Sequence, residues 1–520
     1  MIAEPETLPS NPAPARHRRF FSASAPAVLA TTWLLATSFA AQAEVKPNGL
    51  FTDNAILQRD REVPVWGTAR EGEKVTVRIQ GQEVSTTAKD GRWMVRLKPL
   101  SAGGPLTLTI VGDNTVTLTN VLVGEVWLCS GQSNMGFTLA RAANAKEAIA
   151  AAGDPQLRLF SVPHGAADAP KTEVTGQWKA CAPETAASFS AVAYFFGRDL
   201  RRALNVPVGL IDSSVGGTPA QAWTSRGTLE GDPELKLILE RHAASARQFD
   251  PEKAAANHKQ ALAKYKDAVA KAKAEGTPAP TAPRAPGNPL TSSQRPCGLY
   301  NAMIAPLQPF ALAGAIWYQG EANSGRASEY RKLFPAMIGN WRQAWGQGDF
   351  PFLFVQIAPN QGMTPEIRES QLWTWQHVPR TAMAVITDVG EEKDIHPTKK
   401  EPVGARLALA ARALAYGEKI EYSGPVFASL TVEGERALLG FTHVGGGLVA
   451  QGGELRGFTI AGDDGKFVPA TARIDRDKVV VSSPAVTKPV AVRYGWDKTP
   501  DVNLFNHDGL PASPFRTDMP

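Results

Sequence analysis

Four polar clusters, each directly after a short apolar run, carry the residue types that acyl transfer needs. In the first, Val123–Met135 (VGEVWLCSGQSNM), an apolar run breaks at Gly131 and presents Ser133. A serine delivered by a tight loop is a nucleophile if a base and oxyanion donors face it, and a turn or cap residue if they do not. In the second, LIDSSVGGTPAQAW, the pair Gly216-Gly217 leaves backbone N–H groups open to a developing negative oxygen, although loops also use paired glycines simply to turn. The third, AIWYQGEANSG, offers side-chain amides at Gln319 and Asn323 as oxyanion donors, and Glu321 to fix a neighbour or bind a sugar hydroxyl. In the fourth, DVGEEKDIHPTKKEPVGARLALAARALAYG, Pro397 biases His396 toward extended backbone, and Asp394 stands two residues before it. A loop histidine beside a carboxylate suits a general base. Thr398 with Glu401 reads as a capping box for a helix ending before Gly417.

Such groups act together only if a scaffold brings four strand ends to one edge. The runs around Val126–Ser130, VPVGLIDSS, AGAIWYQG, FPFLFVQIA and TAMAVITDVG are continuously apolar and alternate with helical patterns such as VAYFFGRDLRRALN. That texture predicts a parallel sheet covered by helices on both faces, with ligands at the carboxyl ends of its strands. The organisation read from the sequence is a small antiparallel β-domain over 44–120, an α/β/α domain over 121–420 and a β-rich segment over 421–520. Within the α/β part, 232–289 is an insertion: the Ala/Lys/Glu-rich stretch predicts a long solvated helix, followed by a stiff Pro-rich loop.

Residues 1–43 read as an export signal. Arg16, Arg18 and Arg19 precede an Ala/Leu/Val-rich stretch, and Ala41-Gln42-Ala43 supplies an A-x-A cleavage pattern, so the mature chain would start near Glu44. Arg18-Arg19 also fits a twin-arginine route; either route leads to the periplasm or outside the cell, with no membrane insertion retained after cleavage. The chain of 520 residues carries a net charge of +5 with its basic residues scattered, which gives no nucleic-acid footprint. Its 3 cysteines, Cys129, Cys181 and Cys297, are too few for a disulfide scaffold or a zinc site; one disulfide is left open, and Cys129 reads as a buried apolar thiol.

The ordered set GQSNM, Gly-Gly loop, QGEAN and DIHPTKK, with YNAMIAPL and the closing VRYGWDKTPDVNLFNHDGLPASPFRTD, resembles the sialate O-acetylesterase-like carbohydrate esterases of the SGNH hydrolase superfamily. The resemblance implies a flavodoxin-like α/β/α core flanked by β-domains, with Ser133 as nucleophile and His396 as base. It also implies an oxyanion hole from the Ser133 and Gly217 N–H groups and an amide of Gln319 or Asn323. Many SGNH enzymes place the acid three residues before the histidine, where this chain has Lys393; Asp394 is the choice here, with Asp388 and Glu321 in reserve. The implied substrate is an acetylated carbohydrate, sialic acid or a plant glycan, hydrolysed without metal or organic cofactor. Glu321 and Trp223 are the candidate sugar contacts, Trp223 having a core role as its alternative. Two other readings stay open: a glycosidase using carboxylates such as Glu321 and Asp394, and a non-catalytic carbohydrate-binding protein.

Overall fold

In the computed structural model, which describes residues 44–518, the strand Thr115–Gly131 (β1) serves two sheet regions in turn. Its first half pairs antiparallel with Gly103–Val111, and its second half, buried without a break from Val121, is central to a parallel sheet. The boundary expected at 120/121 therefore falls inside one strand. The parallel partners are Asp154–Ser161 (β2), Val208–Ser214 (β3), Gly314–Tyr318 (β4), Phe352–Val355 (β5) and Thr381–Ala384 (β6), in the order β2-β3-β1-β4-β5-β6. Lys179–Cys181 adds an antiparallel edge to β2. With β2 set aside, this is the flavodoxin-like order, whose winding direction reverses between β1 and β4.

The apolar runs are continuous because both faces of the sheet are covered. Trp127 and Cys129 of β1 and Tyr318 of β4 face a core shared with helices Ala191–Leu204 (α1) and, nearer the C-terminus, Glu401–Leu414. Val126, Leu128 and Trp317 point the other way, toward Ala327–Trp345 and Pro365–His377. Aromatic rings lock both interfaces, Trp127 edge-on to Phe196 at 5.1 Å and Trp317 edge-on to Trp341 at 5.7 Å. Helix α1 is capped by Ser190, which accepts from the Ala193 N–H, and it stops where Asn205 takes the left-handed conformation.

The stretch 232–289 contains two helices, Pro233–Gln248 (α2) and Pro251–Glu275 (α3), each started by an Asp-Pro pair whose aspartate caps the first turn. Helix α3 buries only Ala272 and is otherwise solvated. The helices Ala327–Trp345 (α4), Pro365–His377 (α5) and Glu401–Leu414 (α6) complete the layers around the sheet. The capping box expected at the start of α6 does not form: Thr398 turns back to Glu391 through both its N–H and its hydroxyl, and Lys400 occupies the cap position without a side-chain cap bond. Beyond α6, two four-stranded antiparallel sheets and a two-stranded ladder follow, pinned to α5 by the two-pronged Arg516–Glu369 ion pair. The three cysteines are free and buried, so the disulfide left open by the sequence is absent. The export signal expected over 1–43 lies outside the described residues; among those described, no helix is long and apolar enough to cross a membrane.

Candidate active site

The carboxyl ends of β1, β3, β4 and the loop after β6 converge at the point where the winding reverses. Leaving β1, the chain passes through Gly131 at φ +142°, where a Cβ would overlap the Tyr318 carbonyl, so only glycine permits the close approach of β1 to β4. Ser133 follows in a turn closed by the Met135 and Gly136 N–H groups donating to the Gln132 carbonyl. No helix starts at this turn. Gln132 ties this loop to β4, its N–H donating to the Tyr318 carbonyl at 3.0 Å and its Oε1 accepting from the Ala322 N–H at 3.2 Å.

His396 reaches Ser133 from the loop between β6 and α6: Nε2 lies 2.8 Å from the Ser133 Oγ. The His396 backbone N–H donates to Asp394 Oδ1 at 2.8 Å, a local turn that a carboxylate two residues upstream closes readily. The same oxygen stands 3.5 Å from Nδ1, an ion-pair distance longer than a good hydrogen bond, on an exposed carboxylate. Burial holds the His396 imidazole below its ordinary value near 6.5; Lys400 and Arg141 push the same way and Asp394 opposes them. The ring is thus kept in the neutral form that can accept a proton from Ser133.

The β3 loop closes the opposite side. A Cβ at Gly216 would come within 3.4 Å of the Ser133 Cβ, so this backbone lies directly against the serine. Gly217 takes φ +69°, and its carbonyl is held by Gln294 Nε2 at 2.9 Å. Among the described residues, neither the Ser133 nor the Gly217 N–H donates to a protein acceptor. Asn323 is oriented by two donors to its Oδ1, the Ala220 N–H and Gln319 Nε2; one Nδ2 proton goes to Gln221 Oε1 and the other is unassigned.

The chain is 33% identical to the sialate O-acetylesterase of Rattus norvegicus over 446 residues, which is 76% of this chain and 78% of that protein. The chain belongs to the sialate O-acetylesterase family. The sialate O-acetylesterase of Mus musculus is 32% identical over 89% of this chain and 93% of its own length. Residues 282–413 match the family model described as carbohydrate esterase, sialic acid-specific acetylesterase. The crystal structure of a carbohydrate acetylesterase from Xanthomonas citri is also similar, at 41% identity and a TM-score of 0.78, covering 91% of this chain and 99% of that one. This protein is therefore a sialate O-acetylesterase-like carbohydrate esterase with the α/β/α core and flanking β-sheets that its sequence predicted.

Within this esterase, several residues read from the sequence stand elsewhere than expected. Trp223 has no exposed surface: its Nε1 donates to Thr218 Oγ1 at 2.9 Å and its ring packs edge-on to Trp317. It is a core residue under the glycine loop and has no face to offer a sugar. Glu321 is 7% exposed and accepts from Asn134 Nδ2 at 2.6 Å, so it fixes a neighbour instead of meeting substrate. It is likewise unavailable to His396 as a reserve acid. Asp388, the other reserve, is clamped by both terminal nitrogens of Arg406 at 2.7 Å. Gln319 spends both amide protons on Asn323 and the Thr218 carbonyl, so it has none to offer a ligand. Sequence reasoning missed Asn134 and Lys400, which are fully buried beside Ser133. The available signal was Lys400 itself, a cation at a helix N-terminus, where the helix dipole disfavours it unless another group holds it there.

Proposed function

We propose that Ser133 is the nucleophile and His396 the general base of a two-step deacetylation of carbohydrate esters. The observation that carries this reading is the 2.8 Å approach of His396 Nε2 to the Ser133 Oγ beside a glycine loop with free N–H groups. His396 takes the Ser133 proton as Oγ attacks the acetyl carbonyl. The resulting oxyanion is held by the Ser133 and Gly217 N–H groups and by Asn323 Nδ2. His396 then protonates the departing sugar oxygen, leaving an acetyl-serine. Water, deprotonated by the same imidazole, releases acetate and restores Ser133. The whole cycle uses side chains and backbone of this chain.

The substrate class in this proposal is an O-acetylated sugar, in keeping with the names of the rat, mouse and Xanthomonas relatives. Acetate release from acetylated sialosides and from acetylated plant glycans, measured side by side, separates the two; a preference of neither over a simple acetyl ester would count against a carbohydrate substrate. Export of the mature chain from about Glu44 belongs to the same proposal and is tested by the N-terminal sequence of the secreted protein.

Asn323→Ala removes one oxyanion donor and is expected to lower kcat roughly 100- to 1,000-fold. Steady-state acetate release checks it, and a loss confined to KM would speak against the oxyanion role. Asp394 contributes less. Its exposed, 3.5 Å contact resembles a surface ion pair worth about 1 kcal/mol, so Asp394→Asn should lower kcat/KM only about fivefold. Because burial lowers the His396 pKa, kcat/KM should stay high as pH falls and drop only below the ordinary histidine range near 6.5. The glycosidase reading fails on geometry: its proposed pair consists of a buried, amide-bound Glu321 and an exposed Asp394.

A further inference from the structure

Directly beneath Ser133 lies a buried polar group that the reaction scheme does not use. The Asn134 side chain makes three hydrogen bonds there. Its Oδ1 accepts from Lys400 Nζ at 2.5 Å, and its Nδ2 donates to Glu321 Oε1 at 2.6 Å and to the Ile395 carbonyl at 2.9 Å. These partners come from three separate places: the β4 loop, the residue before His396, and the cap of α6. Asn134 and Lys400 have no exposed surface. The Lys400 ammonium also lies over the rings of Phe137 and Tyr318, at 4.7 and 5.2 Å from their centroids.

The chemistry of the two flanking groups fixes which way the amide faces. Burial lowers the Lys400 pKa to about 7 and raises that of Glu321; in their charged forms the ammonium only donates and the carboxylate only accepts, so Lys400 meets the amide oxygen and Glu321 the amide nitrogen. A flip of the Asn134 side chain would set nitrogen against ammonium and oxygen against carboxylate, each buried without a partner. With the flip excluded, the second Nδ2 proton always points at the Ile395 carbonyl. The residue after the nucleophile thereby grips the residue before the base.

We propose that Asn134 is a positioning residue for catalysis, holding the His396 loop on Ser133, and that Lys400 and Glu321 act through it by locking its amide. The proposal rests on the reading of Ser133 and His396 as nucleophile and base. Lys400 has a second, electrostatic effect on that pair. The charged groups acting on His396 are Asp394 on its own loop, Lys400 at the α6 cap and Arg141 from the turn after the serine loop. Those acting on Lys400 are Glu321, Glu391, Arg141 and Asp394. Removing the Lys400 ammonium removes a positive neighbour of His396, which favours its protonated form and moves the acid limb of kcat/KM to higher pH.

The test compares Asn134→Asp, Lys400→Met and Glu321→Gln with Ser133→Ala in the full chain, using an acetylated sugar and following acetate. Asn134→Asp keeps the oxygen for Lys400 and loses both donated bonds. Its kcat should fall about a hundredfold, the cost of a misplaced catalytic group, with KM unchanged. Glu321→Gln keeps an acceptor for Asn134 but gives up the carboxylate that fixes its amide, so its kcat should fall, by less than that of Asn134→Asp. Lys400→Met should lower kcat and shift the acid limb upward. A purely structural role would lower the melting temperature yet leave the kcat and acid limb of the folded fraction at wild-type values, and that result overturns the proposal. If Asn134→Asp does not fold, the double variant Glu321→Gln/Lys400→Met leaves no uncompensated buried charge and carries the same comparison; wild-type kcat and acid limb in it overturn the proposal equally. Failure of the underlying reading is distinguishable, because it would show as acetate release by Ser133→Ala. Failure of this inference alone would show as an inactive Ser133→Ala beside a fully active Asn134→Asp.

Discussion

Ser133→Ala should abolish acetate release, with kcat falling on the order of a millionfold, while the protein unfolds at the wild-type temperature. The rate loss is large because Gly131 and Gly216 give this one hydroxyl its place beside the imidazole, and without it no acetyl-serine can form. The stability is unaffected because the serine is only half-buried and its hydroxyl bonds to His396 alone, so alanine leaves neither a cavity nor a stranded buried partner. Acetate release and a thermal melt on the same sample check both halves.

His396→Ala is the second large effect. Without the imidazole, the Ser133 proton has no acceptor within reach, since Asp394 is bound to the loop's own backbone and Lys400 is bound to Asn134. The loss should be nearly as large as for Ser133→Ala, and the double variant should be little worse than either single one, because nucleophile and base act as a unit. Rates that multiplied in the double variant would mean that the two residues act separately. The variant should also lose the pH limb that the wild type shows below the ordinary histidine range, since the group that titrates there is gone.

Much of this site was legible in the sequence because its parts lie at strand ends. Continuous apolar runs identify buried parallel strands, and the loop residues after each run must sit at the same edge of the sheet; this is how Ser133, Gly217, Asn323 and His396 came together on reading alone. The features that the sequence concealed depend on side-chain direction and burial. Trp223 and Glu321 are both polar-edged residues in loops near the site, and only packing shows that one supports the glycine loop from below and the other faces Asn134. The choice between Gln319 and Asn323 turned on where two amide protons go, a matter of local geometry that composition does not encode. Thr398 and Glu401 have the spacing of a capping box, yet Glu391 competes for Thr398 and wins, a tertiary contact overriding a local signal. Lys400 was the one concealed residue with a visible anomaly, a cation placed against the helix dipole.

The acetyl group itself provides the most direct test of the nucleophile. The enzyme is mixed with an activated acetyl ester, quenched with acid during turnover, digested and mapped by mass spectrometry. An acetyl mass on the peptide containing Ser133, absent in Ser133→Ala, is the expected result. Turnover with no acetylated peptide, or with the acetyl group on another residue, would contradict the acyl-enzyme account.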